Sequence, residues 1–324
     1  MNLKLTSDAR CNTLLNLGSR VAFSLIEIIV VVGLMSFIIL GLMQMFNQTQ
    51  RAYKLGTTQV DVLEGGRAVI EMMQRELSQM KASRASNTLN FYAQIALAGG
   101  YKPLLQELPG IPNPPGSPLP NRTNILQEIF FLTEENQRWV GNGYFVSSPA
   151  EGVGTLYRCE YRSNYGDDPR LLFIRFDNDL SGFHGAGTVK TNMTRLLDGA
   201  VHLRVRAYNT NGVWLTNSFS KVTNSVTGAV FTYGIVVSPY STVYPPAVAE
   251  VESYSFYSNV VPASVDMELG ILEDAAIAKI KALYNPNAAA QATARRNYLT
   301  NQAARTHLFR IRVPIRNVDP TAYQ

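Results

Sequence analysis

The residues best suited to bind a ligand lie in one short acidic segment. Asp177, Asp179 and Ser181 stand at alternate positions before Gly182, as in the first half of a calcium-binding loop. The position at which such a loop places its bidentate glutamate is Thr188, and a predicted strand rather than a helix leads into the segment. The segment is therefore predicted to be a polar turn. Its three oxygen-bearing residues are weak calcium candidates.

The other reactive side chains are isolated from one another. The three histidines, His184, His202 and His307, are far apart, and none has the spacing of a metal ligand pair. Cys159 lies in a predicted strand, where we expect a buried and inert thiol. No phosphate-binding glycine loop and no nucleophile elbow is present. We therefore predict that the protein is not an enzyme and uses no cofactor.

Composition excludes little beyond a dedicated nucleic-acid binder. The chain has 324 residues, of which 46% are hydrophobic, so one or two globular domains are expected. It carries 29 basic and 24 acidic residues, for a net charge of +5. Because this small excess is spread along the chain and forms no Lys/Arg-rich run, binding to nucleic acid is not expected.

A single acid interrupts a long apolar segment near the N-terminus. Residues Phe23 to Phe46 would form a helix of about 36 Å, which is enough to cross a hydrocarbon core of roughly 30 Å. Glu27 lies inside this segment. A carboxylate within a membrane helix costs about 2.5 to 3.5 kcal/mol, so such a residue is expected to have a cationic partner. A segment that served only as a membrane anchor would gain nothing from this carboxylate.

The residues before the apolar segment set its predicted orientation. Residues 1–22 hold more basic than acidic side chains, Lys4, Arg10 and Arg20 against Asp8. The basic side is expected to stay in the cytoplasm, which places the C-terminal bulk outside the membrane. A cleaved secretory signal peptide fits less well, because its apolar core would be shorter and a small-x-small site would follow it.

The motif around Glu27 resembles a known processing signal. FSLIEIIVVV, residues 23–32, is similar to the class III signal of type IV pilins and type II secretion pseudopilins. The resemblance implies that prepilin peptidase cuts between Ala22 and Phe23 and methylates the new Phe23 amine. It also implies that Glu27, the fifth mature residue, pairs with the N-terminal amine of a neighbouring subunit. The family prefers Gly before the cut, where this chain has Ala22.

A helix is predicted to continue past the membrane over residues 47–86. Its apolar positions recur at spacings of three and four and define one face, comprising Leu63, Gly66, Ile70, Met73, Leu77 and Met80. We expect this face to pack on the rest of the domain, while a surface for a partner is the alternative. Gly56 and the Gly65-Gly66 pair predict a bend or local melting.

The remainder, residues 87–324, is predicted to be a β-rich head. Short apolar runs predict strands at 125–132, 143–148, 155–161 and 171–176. Strict alternation predicts further strands at 201–207, 265–271 and 309–315, and a hairpin turn at 209–212. These patterns indicate antiparallel sheets with one solvent-exposed face. Insertions are predicted at 99–122, 218–262 and 273–304, the last as two helices broken at 285–287.

The order of these parts resembles the minor pseudopilin J and pilus-assembly W group. The matching pieces are Arg75-Glu76-Leu77, Leu196-Leu197-Asp198-Gly199, Gly212 to Trp214, Pro262 to Val265 and Arg316-Asn317. The resemblance implies an α+β, ladle-shaped, pilin-like fold, in which a long N-terminal helix packs on the antiparallel head. It also implies a role at or near the tip of a filament.

The sequence therefore predicts a structural minor pilin or pseudopilin of a type II secretion or type IV pilus-like filament. Its predicted partners are other pilins, prepilin peptidase and the inner-membrane assembly platform. The predicted location is the bacterial inner membrane, with a single pass, a cytoplasmic N-terminus and a periplasmic head. The alternative is a membrane-anchored binding module that uses the same leader to display its head. The choice between secretion system and pilus stays open.

Overall fold

The computed structural model describes residues 24–96, 101, 103–108, 121–148, 151–164, 166–187, 189–224, 230–239, 251–283 and 287–323. The chain divides into two compact units, Met1–Gly56 and Thr57–Gln324. The helices are α1 (Leu25–Ser78), α2 (Arg170–Ala186), α3 (Asp274–Ala282) and α4 (Ala288–Thr300). The strands are β1 (Leu89–Ile95), β2 (Leu104–Glu107), β3 (Asn121–Asn124), β4 (Gln127–Glu135), β5 (Arg138–Val146), β6 (Gly154–Arg162), β7 (Met193–Tyr208), β8 (Phe219–Asn224), β9 (Val230–Pro239), β10 (Val251–Tyr257), β11 (Ser264–Leu272) and β12 (Thr306–Pro314).

The first unit contributes the apolar start of α1. Each residue from Ser24 to Phe46 is exposed, including its large apolar side chains. The β-branched run Ile28 to Val32 is helical. Among the described residues, α1 is the one helix long and apolar enough to cross a membrane. The expected long apolar helix is therefore confirmed.

In the second unit, one face of α1 packs into the main hydrophobic core. Val69, Ile70, Met73 and Leu77 are buried in the main core, so the predicted stripe is confirmed over these turns. Leu63 was predicted to belong to it, but that side chain is 43% exposed. The neighbouring residue, Val62, is buried in its place. The stripe starts one position earlier because the buried face here follows Val62, Gly66 and Val69, with spacings of four and three.

The helix ends at Ser78, so the predicted bound at residue 86 is wrong. The N–H of Met80 bonds to the Leu77 carbonyl at 3.0 Å, which tightens the last turn. The next N–H, that of Lys81, donates instead to the Leu132 carbonyl at 3.0 Å. Met80 pairs with Thr133 as an isolated bridge. The backbone therefore bonds to the sheet from Met80 onward, where the apolar spacing predicted that the helix would continue.

Of the glycines predicted to melt α1, Gly66 has a packing role, and the predicted local melting is wrong. The helix is continuous through Gly56, Gly65 and Gly66. A Cβ at Gly66 would lie 2.4 Å from Phe309 Cε2 and 2.5 Å from Ile271 Cδ1. A side chain at this position would therefore force Phe309 of β12 and Ile271 of β11 to shift. At Gly56 a Cβ would meet nothing within 4 Å.

Ten of the described strands form one antiparallel sheet. Their order is β12-β11-β7-β6-β5-β4-β1-β10-β9-β8, and every registered pair is antiparallel. The strands β2 and β3 form a separate two-stranded sheet; β2 lies within the predicted 99–122 insertion, and β3 begins there and ends at Asn124. With the helices, this makes the protein α+β, as predicted. The turn after β7 is also confirmed, since Tyr208 pairs with Trp214.

The alternation predicted for β7, β11 and β12 is confirmed with one exception. Val205 and Ala207 of β7 face the main core together with Met267 of β11. Val201 was predicted to share this face but belongs to a different cluster, with Leu272. The register shifts here, because His202 pairs with Gly270 while Ala200 pairs with Ile271. Val201 is therefore the extra residue of a bulge.

The prediction of one solvent-exposed face is wrong for much of the sheet. Segment 171–176 was predicted to be a strand but lies in α2. The apolar side chains Leu172, Phe176, Leu180 and Phe183 follow helical spacing and pack on alternate residues of β4, β5 and β6, such as Phe130 and Phe145. The short apolar run suggested a strand only because its period was judged over too few residues.

The helices of the third predicted insertion, residues 273–304, pack on residues of β2 and β11. Helices α3 and α4 pack Ile280 and Leu299 against Leu104 and Leu272. The prediction of two helical pieces is confirmed, and the break falls beside residues 284–286, which lie outside the described residues. Asn287 caps α4, because its Oδ1 accepts the N–H groups of Ala289 and Ala290 at 3.0 and 3.2 Å.

Candidate functional site

Glu27 lies in the first turn of α1. The carbonyl of Ser24 accepts the N–H groups of Glu27 and Ile28 at 2.9 and 3.2 Å, which begins the helix. A carboxylate at this position interacts favourably with the positive end of the helix dipole. The Glu27 side chain is exposed and forms no ion pair within the described residues. The predicted cleavage and methylation residues, Ala22 and Phe23, lie outside the described residues.

The weak calcium candidates do not form a loop. Asp177, Asp179 and Ser181 are all in α2, so the predicted polar turn is also wrong. A helix commits its backbone carbonyls to internal hydrogen bonds, whereas a calcium loop needs one as a ligand. Asp179 instead accepts hydrogen bonds from Lys190 Nζ at 2.6 Å and Tyr161 OH at 3.1 Å. The described residues include no group of three or more His, Cys, Asp or Glu side chains that could hold a metal.

The surroundings of Asp179 account for its charge state. Partial burial raises its pKa, but the hydrogen bonds from Lys190, Asn192 and Tyr161 outweigh burial and hold the pKa below its ordinary value. The carboxylate is therefore ionised, and it joins α2 to the chain that enters β7. Its role in the structure is to stabilise this junction.

Each histidine contacts one glutamate. The distances from His Nε2 to the carboxylate oxygen are 2.9 Å for His184 and Glu128, and 3.3 Å for both His202–Glu268 and His307–Glu273. The three pairs lie on different elements, so the structure does not bring the histidines together.

The buried His202–Glu268 pair has a defined protonation state. The N–H of Ile125 donates to His202 Nδ1 at 3.0 Å, so this nitrogen carries no proton and the ring is neutral. Burial and the nearby Arg204 lower the pKa of His202, consistent with a neutral ring. Burial also raises the pKa of Glu268, but its hydrogen bond with His202 and the charge of Arg204 lower it to about 2. The pair is therefore a neutral donor and an ionised acceptor.

Cys159 is buried in β6, as predicted. Its environment is the α2-facing core with Phe176 and Met193. Burial raises the pKa of the thiol to about 12. The thiolate that nucleophilic or metal-binding chemistry requires is therefore absent at neutral pH.

An ion pair that the sequence did not reveal holds α1 on the sheet. Glu76 accepts hydrogen bonds from Arg158 Nε at 3.0 Å and from Tyr144 OH at 2.5 Å. Arg158 also donates to Asn142 Oδ1 at 3.1 Å and to Glu160 Oε2 at 2.8 Å. Burial raises the pKa of Tyr144, so the phenol stays protonated and donates. The available signal was the position of Glu76 directly beside Leu77 of the apolar stripe.

An open cleft of about 730 Å³ lies where the chain leaves α1. Its lining residues are mostly polar and include Lys81, Arg84, Trp139, Asn259 and Asn317. Lys81 is paired with Glu134 across the cleft wall. The sequence did not indicate this cleft, because its residues come from four separated segments.

Comparisons of this chain with protein-family models, with curated proteins and with solved structures each returned no match.

Proposed function

We propose that the protein is a structural minor pilin or pseudopilin, anchored by residues 23–46, that enters a type II secretion or type IV pilus-like filament at or near its tip. The observation that carries the proposal is Glu27 in the first turn of α1, as the one charged residue between Leu25 and Phe46. The carboxylate has no ion-pair partner among the described residues. A lone acid in such a segment is most useful when another subunit supplies the cation.

The proposed mechanism is assembly by transfer of the helix out of the membrane. Apolar side chains of Leu25 to Phe46 would exchange lipid for the helices of neighbouring subunits. Glu27 would pair with the N-terminal amine of the adjacent subunit, which offsets the desolvation of both charges. The partners are then other pilins, prepilin peptidase and the assembly platform, and the head is periplasmic.

The processing step is tested by mass spectrometry of the mature N-terminus. The expected result is a chain that begins at Phe23 with one added methyl group. An intact Met1 in cells that hold an active prepilin peptidase would overturn the proposal. Replacing Ala22 by Gly, which the family prefers, is expected to leave the cleavage point unchanged.

The assembly step is tested with Glu27→Ala. We expect normal membrane insertion but reduced recovery in sheared filaments, because the amine of the neighbouring subunit loses its partner. The matched control is Glu64→Ala, which removes an exposed acid from the later part of the same helix. Equal recovery of the Glu27 variant and the control would remove Glu27 from the mechanism.

A second function, display of a binding head on a membrane anchor, is favoured by the open cleft beside Trp139. The two functions differ in what the head contacts. Site-specific cross-linking from the exposed Arg84 is expected to capture other pilins if the chain is a filament subunit. Capture of a soluble ligand with no pilin would favour the binding module.

A further inference from the structure

Among the described residues, one edge of the large sheet has no further strand paired to it. The strand β12 ends the sheet, and among the described residues its one strand partner is β11. The N–H of Ile315 bonds to the Ala263 carbonyl at 3.0 Å, and the N–H of Glu273 bonds to the Arg305 carbonyl at 3.1 Å. Bonded and non-bonded pairs alternate in an antiparallel ladder. The odd-numbered residues of β12 therefore bond to β11.

It follows that the even-numbered residues point their backbone groups away from the sheet. The N–H and C=O groups of Leu308, Arg310 and Arg312 face outward from β12. Leu308 is 45% exposed, and the side chains of Arg310 and Arg312 are 58% and 53% exposed. An edge of this kind offers main-chain donors and acceptors at regular spacing to an added strand.

Charged side chains form two rows across the same face of the last three strands. The strand register places Arg206, Asp266 and Arg312 in one row and Arg204, Glu268 and Arg310 in the other. Arg312 Nε lies 2.5 Å from Asp266 Oδ1. Arg310 Nε lies 3.3 Å from Glu268 Oε1. From β7 outward, both rows therefore run positive, negative, positive.

We propose that β12 binds an extended segment of a partner protein that carries acidic side chains two residues apart. This segment would add a strand antiparallel or parallel to β12, and its two acids would continue both rows with the negative charge that comes next. Opposite charges directly across two strands stabilise their pairing, and like charges oppose it. On the other face the half-buried Phe309 and Ile311 favour apolar residues between and beside the acids.

The charges argue against a second copy of this chain as the occupant. Pairing of two β12 edges would bring the arginines of both copies together. The opposite edge of the sheet, β8, has the sequence FSKVTN, which contains a lysine and no acid. Neither edge therefore complements β12. The proposal holds whether or not the chain enters a filament.

The test uses the full chain in detergent micelles and a fluorescein-labelled peptide, Thr-Val-Glu-Val-Glu-Val-Thr, with fluorescence anisotropy at low salt. We expect saturable binding that weakens as salt is added. The control peptide has lysine in place of both glutamates and is expected to bind at least roughly tenfold more weakly. Equal affinity of the two peptides, or no binding of the acidic one, would overturn the proposal.

Two matched variants separate backbone pairing from charge. Leu308→Pro removes one outward N–H and no charge, and an edge strand tolerates proline at such a position. Leu308→Ala keeps the N–H. We expect the proline variant to bind the acidic peptide at least about tenfold more weakly than the alanine variant. Arg310→Gln with Arg312→Gln is expected to remove the preference for the acidic peptide over the lysine peptide.

A second measurement tests strand pairing without the proline variant, in case that variant does not fold. The acidic peptide with N-methyl groups on alternate residues cannot form the main-chain bonds, so at least one of its two methylation registers is expected not to bind the unmodified chain. Unchanged binding of both registers would overturn strand addition. Light scattering that shows a dimer lost in Arg310→Gln with Arg312→Gln would also overturn it, since the occupant would then be a second copy.

Discussion

The two ends of α1 show how one helix can be built for two different surroundings. From Leu25 to Phe46 the helix carries apolar side chains on all sides and one charged residue, Glu27, and every residue is exposed. From Val62 to Leu77 it is apolar on one face, and that face is buried in the core of the head. A helix that is apolar all round matches lipid or other helices, whereas a single apolar stripe matches one protein surface. The two segments therefore differ in total hydrophobicity and in how their apolar side chains are distributed around the helix axis.

The largest expected effect is a difference in the free energy of unfolding between alanine variants of two leucines, one from each segment. Leu77 is fully buried, so Leu77→Ala is expected to lower the free energy of unfolding of the head by about 2 to 5 kcal/mol. Leu34→Ala, in the exposed segment, is expected to leave it unchanged. Urea unfolding of the full chain in detergent, followed by the fluorescence of Trp139 and Trp214, measures both. Similar losses in the two variants would contradict the comparison.

The next expected effect distinguishes the two acids of α1, Glu76 and Glu27, by whether their replacement changes the stability of the head. Glu76 pairs with Arg158 and Tyr144, so Glu76→Gln is expected to cost about 1 to 3 kcal/mol in the same unfolding measurement. Glu27→Gln is expected to leave head stability as it is and to change filament incorporation instead. An unfolding curve of Glu76→Gln that superimposes on the unmodified protein would show that this ion pair does not hold α1 in place.

A pair of glycines is expected to respond with opposite signs. Gly66→Ala places a methyl group against Phe309 and Ile271, and we expect a net loss of about 1 kcal/mol after the gain in helix propensity. At Gly56 the same change meets open space and is expected to raise helix stability by about 0.5 to 1 kcal/mol. Unfolding curves serve for the first, and helix content by circular dichroism against temperature for the second. A stabilised Gly66→Ala would contradict the close packing.

The last expected effect concerns the pH dependence of stability and belongs to the head alone. The pKa of His202 is lowered in the folded chain, so below its unfolded pKa of about 6.5 the unfolded state binds more protons. Stability is therefore expected to fall on acidification from about pH 6.5, by less than about 1.4 kcal/mol per pH unit. Glu268 adds a second loss as pH drops from 4.5 towards 2.

His202→Asn isolates the first of these two losses. An asparagine oxygen can still accept the Ile125 N–H but does not titrate. The slope between pH 6.5 and 4.5 is expected to flatten in the variant while the slope below 4.5 persists. An unchanged slope above pH 4.5 would assign the titration to another group.

Some features followed from sequence because they depend on local periodicity. The alternation in β7, β11 and β12 and the stripe at Ile70, Met73 and Leu77 were predicted correctly. A side chain every second or every third to fourth residue reports a face directly. The apolar helix from Leu25 was also predicted correctly, since its length and composition alone define it.

Other features were decided by tertiary contacts. Residues 171–176 became helical because α2 covers a sheet face that the sequence suggested was exposed, and this also removed the calcium-loop prediction for Asp177, Asp179 and Ser181. The end of α1 at Ser78 was set by a hydrogen bond to β4.

The same contrast applies to the sites. The sequence by itself determined Glu27 and the apolar segment around it, because a lone charge among apolar residues is visible without any partner. Only the tertiary structure brought Glu76 to Arg158 and aligned the charged rows that end at Arg310 and Arg312. These groups are distant in the chain, and β7, β11 and β12 are not joined by short turns that would fix their register from the local sequence.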